Sequence, residues 1–361
     1  MPAGRGRVRK RVRASIPDAN TSRIARRYDL FVEPALLTRI GQFLIDPGQA
    51  WPGSAHACQP LAFVDLSACP AGVQIPVLPP FPVIGLGDAT HSLAATLDAI
   101  VESPVSTETL LRQVERWPHA AAATVQLLRS LDGRPCASAL TLESFCYGLL
   151  QGSAEHAAWL AQRKRTTSIA PGRIVVERRD AVLHVTLDRP LARNAIDRNM
   201  RDELFEAFTL AALDPEIRTV KLRAAGNVFC MGGDLDEFGT TRDPATAHLI
   251  RSRTLPALAL ATRSEIVDVH IQGACVGAGL EIAAFAGRVS ASPDAWFQLP
   301  ELSMGLVPGA GGCVSVPRRI GRQRAALMML SGRRINATTA RAWGLIDAIE
   351  VHAAGQNEAH R

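Results

Sequence analysis

The pattern of apolar and polar positions divides the chain near residue 170. Before that point, Leu61–Leu66 and Pro82–Leu86 are apolar runs of strand length, and the segment between them, carrying Pro70, Pro76, Pro79 and Pro80, reads as a loop. Apolar residues then recur at three-to-four spacing over His91–Val101, Thr107–Trp117, Ala120–Leu131 and Leu140–Arg163. This predicts helices, broken at Pro104, Pro118 and Gly133–Pro135. Pro34–Ile45 carries a weaker amphipathic pattern, and the rest of residues 1–55 is left unassigned.

After the polar linker Thr166–Gly172 the period changes. Ile174–Arg178 and Val182–Leu187 flank Asp180-Ala181 as a hairpin, and Arg198–Leu213 is an amphipathic helix followed by a strand at Thr219–Ala224. A glycine-containing loop, Phe229–Phe238, leads to a helix at Pro244–Thr262, a strand at Ile266–Ile271 and a further helix beginning at Gly277–Phe285. Strands alternating with helices make this half α/β. The expected organisation is a basic arm and linker over 1–55, a mainly helical region over 56–170, and an α/β core over 171–361.

Composition narrows the function classes. Of the 361 residues, 47% are hydrophobic and 20% charged, which suits a globular chain. No apolar run is long enough to span a membrane and the N-terminus has no apolar leader segment, so a cytoplasmic location without membrane association is expected. The net charge of +6 comes from Arg5, Arg7, Arg9, Lys10, Arg11 and Arg13, which precede the first acid, Asp18. Without them the body is neutral. The arm reads as a tail, with a nucleic-acid contact as the less favoured alternative. The 7 cysteines are scattered and odd in number, as reduced thiols are, and form no metal-binding spacing.

Two glycine-centred turns could present backbone N–H groups to a developing negative charge: Phe229–Asp234 and Gly273–Glu281. The second passes from strand to helix, which aims first-turn N–H groups and the positive end of the helix dipole at whatever lies above. Close helix–sheet packing is the alternative use of such small residues. Two carboxylates accompany these turns. Glu281 stands among Ala278, Leu280, Ile282 and Ala283, and Glu301 follows Pro300 in an apolar run that leads to Pro308–Gly312, another helix-initiating loop. Capping would explain Glu281 and solvation Glu301 separately. Together, two possible oxyanion donors and two carboxylates in apolar settings fit proton transfer beside a carbonyl.

On these residues, with Asp188-Arg189-Pro190, Arg193-Asn194-Ala195 and Ala340–Asp347, residues 173–350 resemble the crotonase superfamily of enoyl-CoA hydratases and isomerases. The resemblance implies a ββα spiral core, assembled as a homotrimer or hexamer, acting on an acyl-CoA thioester in fatty acid metabolism. It implies no separate cofactor or metal, since coenzyme A is part of the substrate. It places the N–H groups of Gly233 and Ala278 at the oxyanion hole, Glu281 and Glu301 as the catalytic pair, and Cys230, Met231, Gly232, Asp234 and Leu235 on the substrate-binding loop. Retention of both glutamates favours hydration over double-bond isomerisation and over the cofactor-free dioxygenase branch; other hydrolase or lyase reactions of the family, and a non-catalytic acyl-CoA- or RNA-binding relative, are the remaining alternatives. Ala278 in place of the usual glycine leaves a usable donor if its φ is negative. Met231 and Asp236, where relatives carry a small residue and a lysine, alter the grip on the coenzyme. Family members also continue past the equivalent of Ile349 with helices that close the site. Residues 107–165 are expected either to replace these, with Leu140–Arg163 packed beside the Gly233/Glu301 pocket, or to form an unrelated helical domain.

Overall fold

A computed structural model describes residues 34–45, 59–73, 75, 77–164 and 169–350. The chain divides into two units, Met1–Leu44 and Ile45–Arg361. In the first, the described part is helix α1 (Pro34–Gln42). The basic arm lies outside the described residues.

The second unit begins with three short buried strands, β1 (Ala62–Asp65), β2 (Val83–Leu86) and β3 (Ala99–Ile100), all parallel in the order β1-β2-β3. The helix expected over His91–Val101 is therefore corrected: only a 3-10 turn, Ala94–Thr96, precedes β3. Leu93, Leu97 and Ile100 do point into a common apolar core, but it is the core beneath this sheet. The region 56–170 thus opens with a sheet and becomes helical from residue 107 onward.

Four helices follow: α2 (Thr107–Arg116), α3 (Pro118–Leu131), α4 (Cys136–Gln151) and α5 (Ala154–Gln162). Pro118 starts α3 at a position where a missing N–H costs nothing. The single helix expected over Leu140–Arg163 is two, because the chain turns at Gly152 and Ser153 caps α5 by accepting from the His156 N–H.

The remainder is built on a six-stranded sheet in the order β12-β9-β7-β6-β5-β4. Its hairpin, β4 (Arg173–Arg179) and β5 (Val182–Asp188), is antiparallel, and turns at Asp180, whose φ of 53° an Asp tolerates. Strands β6 (Thr219–Ala224), β7 (Val267–Ile271), β9 (Arg288–Ala291) and β12 (Ala348–Ile349) add in parallel. Helix α6 (Arg198–Leu213) is capped by Asp197 and buries Met200, Leu204, Ala207, Phe208 and Ala211, one face of a 3.6-residue period. A smaller sheet, β8 (Ala274–Val276), β10 (Trp296–Gln298) and β11 (Ile335–Asn336), has the order β11-β10-β8. The helix expected over Pro244–Thr262 breaks at Leu255-Pro256 into α7 (Pro244–Thr254) and α8 (Pro256–Leu260). Helices α9 (Ala278–Ala283), α10 (Gly312–Ser331) and α11 (Ala337–Trp343) complete the described chain.

Helices α3 and α4 pack on α10, α4 packs on α7, and α5 packs on the 3-10 turn Glu301–Met304. No helix among the described residues is long and apolar enough to cross a membrane. Of the described cysteines all are free, with Cys230, Cys275 and Cys313 buried and Cys69, Cys136 and Cys146 partly so.

Candidate active site

The loop after β6 runs beside β8. Cys230 N–H donates to Ala274 O (3.0 Å), Val276 N–H donates to Cys230 O (2.9 Å), and the next turn is tied to the loop before α6, with Ile196 N–H donating to Gly232 O and Asp234 N–H to Ile196 O, both at 2.8 Å. These bonds bracket Gly233. Its N–H, and that of Ala278, donate to no other described residue. Ala278 opens α9, so its N–H is one of the orphan donors of a helix start, and its φ is not among the positive ones. Both residues line one cavity of about 250 Å³.

Two glycines make this approach possible. At Gly277 φ is 47° and an added Cβ would lie 2.7 Å from Glu301 Oε1; at Gly279 an added Cβ would run into the side chain of Cys230. The tight-packing use of small residues and the presentation of an N–H therefore coexist within three residues: Gly279 lets α9 reach the loop, and Ala278 faces the cavity.

Glu281 and Glu301 line the same cavity and are 2% and 8% exposed. Glu281 Oε2 accepts from the N–H groups of Ala310 (2.6 Å) and Gly312 (2.8 Å). Burial pushes its pKa up to about 7 despite those two bonds. Glu301 is also held well above the ordinary carboxylate range, by burial and then by the charge of Glu281, and its Oε2 is buried with no hydrogen-bond partner among the described residues. The arrangement thus joins two N–H donors without a partner among the described residues and two buried carboxyls, both pushed above the ordinary carboxylate range.

Of the rest of the loop, Asp234 reaches the cavity, while Cys230, Met231, Gly232 and Leu235 do not line it. Asp234 is held by Arg189 Nη1 at 2.7 Å. Cys230 is buried beneath Gly279, with its thiol pushed up to about 12 by burial. Asp236 is ion-paired with Arg163, whose guanidinium also donates to Leu235 O.

The helices of residues 107–164 contribute to the wall. Tyr147 and Gln151 of α4 and His156 of α5 line the cavity. The Tyr147 ring lies against Gly309, where a Cβ would not fit, and Arg251 of α7 stacks on that ring at 4.6 Å while donating to Ser144 Oγ and Gln151 Oε1. His156 Nδ1 is 2.9 Å from Met304 O, and burial lowers its pKa. Trp159 meets Phe238 edge-on at 5.8 Å. Sequence reasoning placed the segment beside the pocket but assigned none of these side chains. It also passed over a third buried carboxylate, Glu143, whose oxygens accept from Gly311 N–H (2.7 Å) and Cys313 N–H (2.8 Å). An acid inside the apolar run Leu140–Phe145 was its one visible sign.

Residues 177–360 match the enoyl-CoA hydratase/isomerase family. The chain is 34% identical over 176 residues to 2,3-dehydroadipyl-CoA hydratase of Escherichia coli, covering 49% of this chain and 68% of that protein. It is likewise 34% identical over 180 residues to a mevalonyl-coenzyme A hydratase of Beauveria bassiana, covering 46% and 63%. The chain therefore spans about two thirds of the length of these curated relatives. Among solved structures, an enoyl-CoA hydratase/isomerase from Marinobacter aquaeolei is 31% identical with a TM-score of 0.45, over 49% of this chain and 70% of that one. On the family match over half its length and the identity to curated relatives, the chain belongs to the enoyl-CoA hydratase/isomerase family.

Proposed function

We propose that this protein adds water across the double bond of a 2-enoyl-CoA thioester. The observation that carries the reading is the convergence of Gly233, Ala278, Glu281 and Glu301 on one cavity, with both carboxyls buried and pushed above their ordinary range. The thioester oxygen accepts from the N–H groups of Gly233 and Ala278. Ionised Glu281 takes a proton from water as its oxygen bonds to the β-carbon, and the π electrons move onto the thioester as an enolate. That charge is what the two N–H groups are aimed at, and such donors contribute most where charge develops. Protonated Glu301 then delivers its proton to the α-carbon, completing the addition of water. A carboxyl titrating near 7 suits a base at neutral pH, and a second buried carboxyl pushed up by burial and by the first one's charge suits an acid.

The reaction needs no separate cofactor, because coenzyme A arrives with the acyl group. We also read α2–α5 as the substitute for the closing helices of the family, since Tyr147 and His156 supply part of the cavity wall. A homotrimer or hexamer in the cytoplasm is the assembly and location that fit this reading. The test is a screen of 2-enoyl-CoA thioesters by loss of enoyl absorbance, including the acyl groups named for the relatives. Turnover of at least one supports hydration, and none turning over while a 3-enoyl thioester is isomerised would replace it.

A further inference from the structure

Glu143 lies on α4 between Ala139, Leu140 and Ser144, and is 1% exposed. A carboxylate there is costly unless fully hydrogen-bonded. Its bonds go to a segment 168 and 170 residues further along, and they interleave with those of Glu281. Four consecutive N–H groups at the start of α10 are dealt alternately: Ala310 and Gly312 to Glu281, Gly311 and Cys313 to Glu143. The turn is pinned on its other side as well. Gly311 has φ 106°, and an added Cβ there would lie 2.5 Å from the Phe285 ring. Glu143 does not line the cavity, so it touches no substrate and acts through the groups around it, this turn first among them.

We infer that Glu143 is a positioning residue: by holding the Gly311 and Cys313 N–H groups it fixes the turn whose other two N–H groups aim Glu281 at the reacting water. The inference rests on the hydration reading above. A glutamine at 143 has one accepting oxygen and would set its NH2 against one of the two N–H donors, so the turn must shift and carry Glu281 with it. An aspartate keeps both accepting oxygens and loses only reach. A displacement on the order of 1 Å at a reacting group costs about a hundredfold in rate.

The experiment measures kcat and KM for hydration by wild-type protein, Glu143→Gln and Glu143→Asp, each checked for folding by its melting transition. Glu143→Gln is expected to lose about a hundredfold in kcat with KM within about threefold of wild type, as for a group acting on the transition state alone. Glu143→Asp, which keeps both accepting oxygens but has a shorter reach, is expected to recover about tenfold of that loss and to stay about tenfold below wild type. A folded Glu143→Gln protein with wild-type kcat, equal defects in the two variants, or kcat and KM worsening together would each overturn the inference. Should Glu143→Gln not fold, Glu143→Asp decides: a lower kcat at unchanged KM supports the role, and unchanged kcat overturns it. A wild-type protein that hydrates no enoyl thioester would instead count against the hydration reading.

Discussion

Asp98 and Asp347 make the same pair of bonds at the starts of two different strands. Asp98 N–H donates to Val83 O at 3.0 Å and its Oδ2 accepts from Val83 N–H at 2.8 Å; Asp347 does both with Val289 at 2.7 Å. In each case the next residue pairs with the next: Ala99 with Ile84, and Ala348 with Ser290. The sequences around them, Leu97-Asp98-Ala99-Ile100 and Ile346-Asp347-Ala348-Ile349, run in parallel. The sheet β1-β2-β3 thus repeats the local design of β7-β9-β12, and the chain leaves it directly into the helices that wall the cavity.

The two aspartates differ in what else depends on them. Asp98 has a side chain 1% exposed and pairs with Arg129 and Arg322, whereas Asp347 is 45% exposed and pairs with Arg319. Removing one partner of a buried pair leaves an uncompensated charge, so Asp98→Ala should cost about 3 kcal/mol of unfolding free energy. Asp347→Ala should cost about 1 kcal/mol, because its ion pair is largely solvated. Urea titrations of both variants measure this, and equal costs would contradict the assignment of Asp98 to a buried network.

Glu281 links pH to stability with a defined sign. Its pKa is raised from an ordinary value near 4.5 to about 7 in the folded chain. Below the lower value it is protonated in both states and costs nothing; between about 4.5 and 7 the unfolded state sheds the proton while the folded state keeps it, so stability falls as pH rises, and above about 7 the loss is complete. Glu281→Gln keeps an oxygen that can accept from Ala310 and Gly312 but carries no charge. It should match wild-type stability near pH 4 and exceed it by up to about 3 kcal/mol near pH 8. Denaturant midpoints at the two pH values give the answer, and a variant less stable at the higher pH would reverse the sign.

Close packing between Gly279 and Cys230 makes a paired prediction. Gly279→Ala puts a methyl group into the Cys230 side chain, pushing the start of α9 and with it the Ala278 N–H away from the loop. Overpacking of this kind costs about 1–3 kcal/mol. Hydration should fall more steeply than thioester binding, since the donor serves the transition state. Replacing Cys230 by Gly in the same protein removes the obstructing atoms and should recover a large part of both losses; the two defects simply adding would show that the contact is not the cause.

The outline of the core was legible because its signals are local. Asp197 caps α6, the apolar face from Met200 to Ala211 keeps a helical period, and β5 alternates buried Leu183, Val185 and Leu187 with half-exposed neighbours. Glu281 and Glu301 stood out as acids in apolar runs. What escaped notice depends on contacts distant in sequence. Leu93, Leu97 and Val101 have helical spacing, yet pairing with β2 and the Asp98 bonds make a strand of residues 99–100. Glu143 shows in the sequence only as an acid within the apolar run Leu140–Phe145, and its partners appear only when the turn at 310–313 folds against it.

Deleting residues 1–170 removes Glu143, Tyr147 and His156 together and uncovers the apolar face of α10 that α3 and α4 cover. The fragment is expected to aggregate or to fail in hydration, since a large exposed apolar patch favours association. Size-exclusion profiles and turnover of the fragment decide. A soluble fragment with full activity would mean that the helices are not part of the working site.

Hydration kinetics of the Glu281→Gln and Glu301→Gln proteins, measured beside wild type as loss of enoyl absorbance at saturating thioester, test the central claim most directly. Each carboxyl handles a different proton in one addition, so either substitution should lower kcat by about three powers of ten while thioester affinity stays within about threefold. Turnover by either variant within about tenfold of wild type would contradict a mechanism in which Glu281 activates the water and Glu301 protonates the α-carbon.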